Sequence, residues 1–270
     1  MVRFKFTGTG GALFVKFFVG MLLSMVTLGI YLPWFMVSLT RYVCDNTVLE
    51  TGAGAVRLKF TGTGGALFVT FLVGYLLTII TLGIYTPWFI TKLLKFHMDN
   101  TTGTTPEGVE VRLDYGGTGG GLFVTFLVGY LLTIITIGIY TPWFICRINR
   151  FILQNTGVLR GGAQVGTADF VGTGGALFVT FLVGYLLTIV TLGIYMPWFM
   201  VKLTKFNLGG TRVTLDGVVW TGDFDGKGGD LFVTLLVGYL LTVVTLGIYG
   251  AWFTCNMIRF HTDNSVFRSA

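Results

Sequence analysis

Charge is scarce in this sequence. Of 270 residues only 11% are Asp, Glu, Lys or Arg, 53% are hydrophobic, and the mean hydropathy is +0.78; soluble domains carry about a quarter charged residues. That excludes an ordinary soluble domain and points to a membrane protein. Cysteine is nearly missing as well. Cys44, Cys146 and Cys255 stand alone, with no Cys-x-x-Cys pair and no Cys/His cluster, so there is no disulfide or zinc framework, only three small apolar fillers. Histidine is limited to His97 and His261. No nucleophile, base and carboxylate recur together in one spacing, so an enzyme is not expected and neither is a cofactor. Asp223, Asp225 and Asp230 in DFDGKGGD loosely resemble a calcium loop, but Lys227 stands among them and the ligand spacing is incomplete; a surface turn without metal is expected.

Long apolar runs, by contrast, fill the chain. Leu13–Trp34, Leu67–Trp88, Leu122–Trp143, Leu177–Trp198 and Leu231–Trp252 are five blocks of 22 residues in which Lys16 is the only charge. Each is long enough to be a transmembrane candidate. The Leu-Phe pair opening each block recurs at spacings of 54, 55, 55 and 54 residues, and such regularity marks tandem supersecondary units. The units are residues 1–46, 47–100, 101–155, 156–210 and 211–264, followed by a closing strand at 265–270. Each holds a polar strand segment, a Gly-rich joint such as GTGGALF, an apolar helix, the corner TLGIYxPW, and a shorter helix with basic residues.

The corner has a physical reading. Gly83 and its equivalents Gly29, Gly138, Gly193 and Gly247 stand where the first helix needs a left-handed stop, and Pro87 suits the first turn of the next helix. Thr86 and Thr141 are expected as N-caps. The two helices span about 24 Å and about 21 Å at 1.5 Å per residue, short for a hydrocarbon core of about 30 Å. Identical units need identical surroundings, so each is expected to form a helical hairpin that returns to its side of origin. Between hairpins, AVRLKFTG, GVEVRLDY and TRVTLDGVVWTGDF read as strands, with Asp216-Gly217 as a hairpin turn. The chain begins on the second strand of such a hairpin, VRFKFTG, and ends on the first, DNSVFRSA. Closing them together would remove exposed edges. The expected fold is therefore a mainly α-helical membrane protein: five repeats of β-hairpin plus helical hairpin in a pseudo-five-fold closed ring with a small β-layer.

Candidate functional residues lie in columns. Gly20, Gly74, Gly129, Gly184 and Gly238, flanked by Thr or Ser, form a small-residue face expected to pack neighbouring units. Lys16 takes the place of a Thr in the first unit, and an intramembrane lysine is a functional candidate unless it snorkels to the headgroups. On the second helices, Lys92 and Lys95, Arg147 and Arg150, and Lys202 and Lys205 share a face, with Arg41 and Arg259 alone in the outer units. They are candidates for binding anionic lipid, or for an anion-selective ring. The 17 basic residues outside the apolar blocks place both termini and every inter-repeat segment in the cytoplasm. No basic run or aromatic-basic platform is present, so no nucleic acid is expected.

The pattern F-x-G-x-G-G-x-LF, a long apolar run, TLGIY, PW and basic residues resembles the YjgN-like family of bacterial inner-membrane proteins of unknown function. The resemblance implies a multi-pass inner-membrane protein and supplies no activity. The function expected from the residues is a non-enzymatic membrane scaffold or accessory subunit that binds lipid or a membrane partner complex. A pseudo-five-fold pore for anions or small solutes is the alternative, and a lipid-modifying enzyme a more distant one.

Overall fold

The computed structural model describes residues 1–52 and 54–269. Strand β1 (Val2–Phe6) leads into helices α1 (Gly10–Val26) and α2 (Leu32–Asp45), and β2 (Thr47–Thr51) follows. The order then repeats: β3 (Gly54–Phe60), α3 (Gly64–Ile80), α4 (Thr86–Asp99) and β4 (Thr101–Thr104), then β5 (Glu110–Tyr115), α5 (Gly119–Ile135), α6 (Thr141–Gln154) and β6 (Thr156–Arg160). After them come β7 (Ala163–Phe170), α7 (Gly174–Val190), α8 (Met196–Gly209) and β8 (Thr211–Leu215). The last unit holds β9 (Val218–Phe224), α9 (Gly228–Val244), α10 (Gly250–Asp263) and β10 (Ser265–Ser269).

The strands form a closed antiparallel barrel in which every strand pairs with its sequence neighbours and β10 closes on β1, Val2 opposite Phe267. At one end two-residue turns join β6 to β7, through Gly161 and Gly162, and β8 to β9, through Asp216 and Gly217 at φ 49° and 80°, while residues 105–109 join β4 to β5. At the other end each connection is a whole helical hairpin, because the strands flanking it pair with each other, as Phe6 with Thr47 and Phe60 with Thr101. All ten helices of the described residues therefore rise from one rim. Neighbouring hairpins touch around the circle, and α10 packs on α1.

This overturns the expected fold class in two respects. The small β-layer is instead a closed ten-stranded barrel to which every unit contributes. Among the described residues no helix is long and apolar enough to cross a membrane. The reason is the corner, which stops each 22-residue apolar block after a helix of 17 residues, about 25 Å at the usual rise.

The core sits where barrel meets helices. Phe60 at the base of β3 packs with Leu67 of α3 and Val37 of α2, while Phe170 meets Leu177 and Cys146. Each core cluster thus draws on two successive units, which ties the repeats laterally. Above it the first helices of the hairpins leave most of their apolar side chains exposed.

The helical hairpins as candidate functional site

Each letter of the corner has a contact. Thr81 donates its hydroxyl to the Leu77 carbonyl at 2.7 Å and accepts the Tyr85 N–H at 2.9 Å, binding the end of α3 to the start of α4. The Gly83 N–H reaches the Thr78 carbonyl and the Leu82 N–H the Ile79 carbonyl, the pairing of a Schellman stop. The residue in the left-handed C′ position is therefore Leu82, at φ 50°, and not Gly83, which follows it at φ 92°. The same holds for Leu28, Ile137, Leu192 and Leu246. All five side chains point away from the protein, 94–95% exposed. Thr86 and Thr141 are not N-caps: they lie inside the first turn and donate to the Gly83 and Gly138 carbonyls at 2.7 Å.

The glycine column packs within each unit, not between units as expected from sequence. A Cβ on Gly20, Gly74, Gly129, Gly184 or Gly238 would strike the ring of Phe35, Phe89, Phe144, Phe199 or Phe253 on the partner helix of the same hairpin. Contact between units belongs to the tryptophans. Trp34 covers Gly64 of the next joint, and Trp252 covers Gly10 across the closure. Their rings lie 5.1–5.5 Å from Phe68, Phe123, Phe178, Phe232 and Phe14.

The basic residues divide into two sets that sequence reasoning had merged. Arg41 donates to the Phe60 and Gly62 carbonyls at 3.3 and 2.8 Å, and Arg150 to those of Phe170 and Gly172 at 3.0 and 3.3 Å. Arg259 reaches the Gly8 carbonyl at 2.8 Å. Lys95 bonds to the Tyr115 carbonyl at 3.3 Å and pairs with Asp99 at 3.1 Å. These cations fasten one unit to the joint of the next; Lys205, in the same column, makes no such bond among the described residues.

Lys92, Arg147 and Lys202 are exposed and stand over the rings of Tyr85, Tyr140 and Tyr195 at 5.6, 5.7 and 5.6 Å. Those tyrosines are in turn stacked on Trp88, Trp143 and Trp198. An ammonium or guanidinium held there is weakly bound, by about 0.5–1 kcal/mol at exposed sites, and keeps donors for a ligand. The threonine hydroxyls of the first helices are turned inward on their own backbone: Thr70, Thr125, Thr180 and Thr234 donate to the carbonyls four residues earlier.

Other candidates fall to structure. Asp223 and Asp225 are held by Arg268, and Asp225 also by Arg3 at 3.5 Å, across the closing strands. Asp230 lies in the first turn of α9, whose N-cap Lys227 supplies no side-chain bond; its carboxylate there meets the positive end of the helix. Burial pushes the Cys44 and Cys146 thiols up, so they stay neutral fillers. The Tyr42 hydroxyl, pushed up to about 12 chiefly by burial, donates to the Thr9 carbonyl at 2.7 Å.

Lys16 is half-buried in a groove of about 190 Å³ between α1 and α2, facing Tyr31, Phe35 and Ser38. Ser38 occupies the place of Lys92, so in this unit the cation stands on the opposite wall. In the fifth unit the matching positions are Thr234 and Asn256, and the groove is open to about 400 Å³.

The geometry defines a class: a closed five-unit ring of apolar helical hairpins standing on one rim of a β-barrel. The chain belongs to the family described as "Bacterial protein of unknown function (DUF898)", which matches residues 1–53, 55–104, 110–162, 166–223 and 221–269. It is 42% identical over 79 residues to the "Inner membrane protein YjgN" of Salmonella typhimurium strain LT2, a match covering 29% of this chain and 19% of that one. To the protein of the same name from Escherichia coli K12 it is 36% identical over 97 residues, 35% of this chain and 23% of that one. The chain thus spans about a fifth of the length of these relatives in its matches. No solved structure matches. The relatives' names bear out the membrane expectation in its coarse form: this is a membrane-associated protein of the bacterial inner-membrane type.

Proposed function

We propose that this chain is a non-enzymatic membrane scaffold whose five hairpin tips enter one leaflet of the bacterial inner membrane and whose Lys92, Arg147 and Lys202 bind anionic headgroups. The observation that carries this reading is the strained apolar tip. A non-glycine residue in the left-handed region costs roughly 1 kcal/mol or more, and glycine would avoid the cost. Instead Leu28, Leu82, Ile137, Leu192 and Leu246 stand there, 94–95% exposed. Backbone strain kept at an exposed apolar point has a use when that point enters an apolar medium.

Dimensions support a single leaflet. Lys92 follows Thr86, the first residue of α4, by six residues, about 9 Å of helix, and one leaflet contributes about 15 Å of hydrocarbon to the core. Tips in the acyl region and cations at the headgroups therefore fit together. Each cation is expected to add about 1 kcal/mol of attraction to anionic lipid. Arg3, Lys5, Arg57, Lys59, Arg112 and Arg268 on the strands keep the barrel on the cytoplasmic side under the positive-inside bias.

The test is labelling with quenching. Cysteines at Lys59, Arg112 and Arg160 should react with an impermeant thiol reagent only from the cytoplasmic face, and brominated acyl chains in that leaflet should quench the corner tryptophans. Labelling from both faces, or quenching equal from either leaflet, would sink the reading.

A further inference from the structure

In the second, third and fourth units a cation of the protein lies over the corner tyrosine, at 5.6, 5.7 and 5.6 Å from the ring centroid. The first unit has the same tyrosine, Tyr31, with one face stacked on Trp34 at 6.1 Å and 12°. Its helix α2 carries Ser38 where those three units carry Lys92, Arg147 and Lys202, too short to reach over the ring as they do. The charge has crossed the groove to Lys16 of α1, where the other units have threonine. Among the described residues Lys16 has no carboxylate partner and does not lie over a ring. A groove of about 190 Å³ is lined by Lys16, Tyr31 and Ser38 together with the apolar Val15 and Val19.

A half-buried ammonium without a counter-charge calls for an anion. Tyr31 lines the same groove and, among the described residues, has no cation of the protein over its ring, so it can take one from a ligand, the partner that Tyr85, Tyr140 and Tyr195 have. One molecule that supplies both, with an apolar tail for Val15 and Val19, is a phospholipid whose headgroup is dipolar. We propose that this groove binds the headgroup of a single zwitterionic phospholipid, its phosphate against Lys16 and Ser38 and its ammonium over Tyr31. The fifth unit does not offer the same pair: its groove has Thr234 and Asn256 at these positions, and its Arg259 is engaged with the Gly8 carbonyl. The inference rests on the membrane reading above, since the groove opens within the apolar face of the ring.

The experiment uses the full chain in vesicles of equal phosphatidylethanolamine and phosphatidylglycerol, read by flotation and, after mild extraction, by native mass spectrometry of retained lipid. One phosphatidylethanolamine per chain is expected. Lys16→Thr, the residue of the neighbouring units, should cut its occupancy at least tenfold without altering flotation. Ser38→Lys should displace it as well, by placing the protein's own cation over Tyr31. Retained lipid that is phosphatidylglycerol or an even mixture, displacement by inorganic phosphate alone, or an unchanged occupancy in Lys16→Thr would overturn the proposal. Failure of the unmodified protein to float would overturn the membrane reading and this one with it, whereas flotation without retained lipid overturns only this one.

Discussion

The Asp263 carboxylate at the end of α10 accepts the backbone N–H of Phe6 at 2.7 Å. Asp45 does the same for Phe60 at 3.1 Å. In the units that follow α6 and α8 the helix end offers Gln154 or Gly209, and the acid has moved onto the strand, where Asp169 and Asp223 accept from Phe170 and Phe224 at 2.7 Å. Lysine fills the strand position in the two units where the helix acid accepts this bond, as Lys5 and Lys59, whereas the unit of Tyr115 has an acid in both places, Asp99, which pairs with Lys95, and Asp114. In these four units one carboxylate accepts that N–H, and either element can supply it.

Asp263→Ala is therefore expected to lower stability by roughly 1.5–3 kcal/mol, the range for a hydrogen bond to a charged group. Adding Lys5→Asp should recover most of that loss by recreating the arrangement of Asp169 and Phe170. Denaturant titration of the single and double variants checks it; a double variant as weak as Asp263→Ala would show that the helix end itself is required.

Tyr115 replaces the phenylalanine found at Phe6, Phe60, Phe170 and Phe224, and its buried hydroxyl has no partner among the described protein atoms. Tyr115→Phe should be neutral or stabilising, by up to about 1–3 kcal/mol if the desolvation cost of the hydroxyl is uncompensated. A clear drop in Tm would mean that the hydroxyl has a use not visible in its contacts.

How much of this was legible in the sequence depends on where each signal lies. The repeat spacing, the Asp216-Gly217 turn and the half hairpins at the two ends are local patterns and could be read directly. The barrel was not, because β1 and β2 pair across a connection holding two helices, and one sequence carries no mark of such a distant partner. Propensity alone favours Gly83 as the left-handed residue, whereas the structure places the strained leucine before it. The glycine column reads as a packing face from its spacing, but spacing does not say that its partner, Phe89 for Gly74, lies on the same hairpin. The basic residues were legible as one face; the split between carbonyl-bonded Arg41, Arg150 and Arg259 and ring-capping Lys92, Arg147 and Lys202 depends on rotation about each helix. For Lys16, the signal was available: Ser38 and Lys16 both depart from the repeat, at positions that face each other.

That split separates stability from lipid binding. Arg41→Lys removes a guanidinium fork that reaches two carbonyls and should lower stability by about 1 kcal/mol with no change in affinity for anionic vesicles. Replacing Lys92, Arg147 and Lys202 together with Gln should do the reverse, weakening binding to anionic vesicles by about 1 kcal/mol per charge while the melting temperature stays within a few degrees. Co-sedimentation at several salt concentrations, beside thermal unfolding, reads both. If the Gln variant unfolds early and binds as before, the roles of the two sets are exchanged.

The hairpin tips carry a conflict between folding and membrane entry that one substitution can expose. Glycine in place of Leu28, Leu82, Leu192 or Leu246 removes the left-handed strain and is expected to stabilise the chain by roughly 1 kcal/mol per site; Ile137, branched at Cβ, should gain more. The same change deletes a side chain 94–95% exposed, and with it about 1.5–3 kcal/mol per tip of transfer into an apolar medium. The fivefold glycine variant should therefore unfold at a higher temperature in detergent and yet bind vesicles at least tenfold more weakly than the unmodified protein. Serine at the same five positions keeps much of the strain and loses the apolar surface, so it should bind weakly without the gain in stability. If the glycine variant binds vesicles as tightly as the original, the tips do not enter the bilayer, and their strain needs another cause.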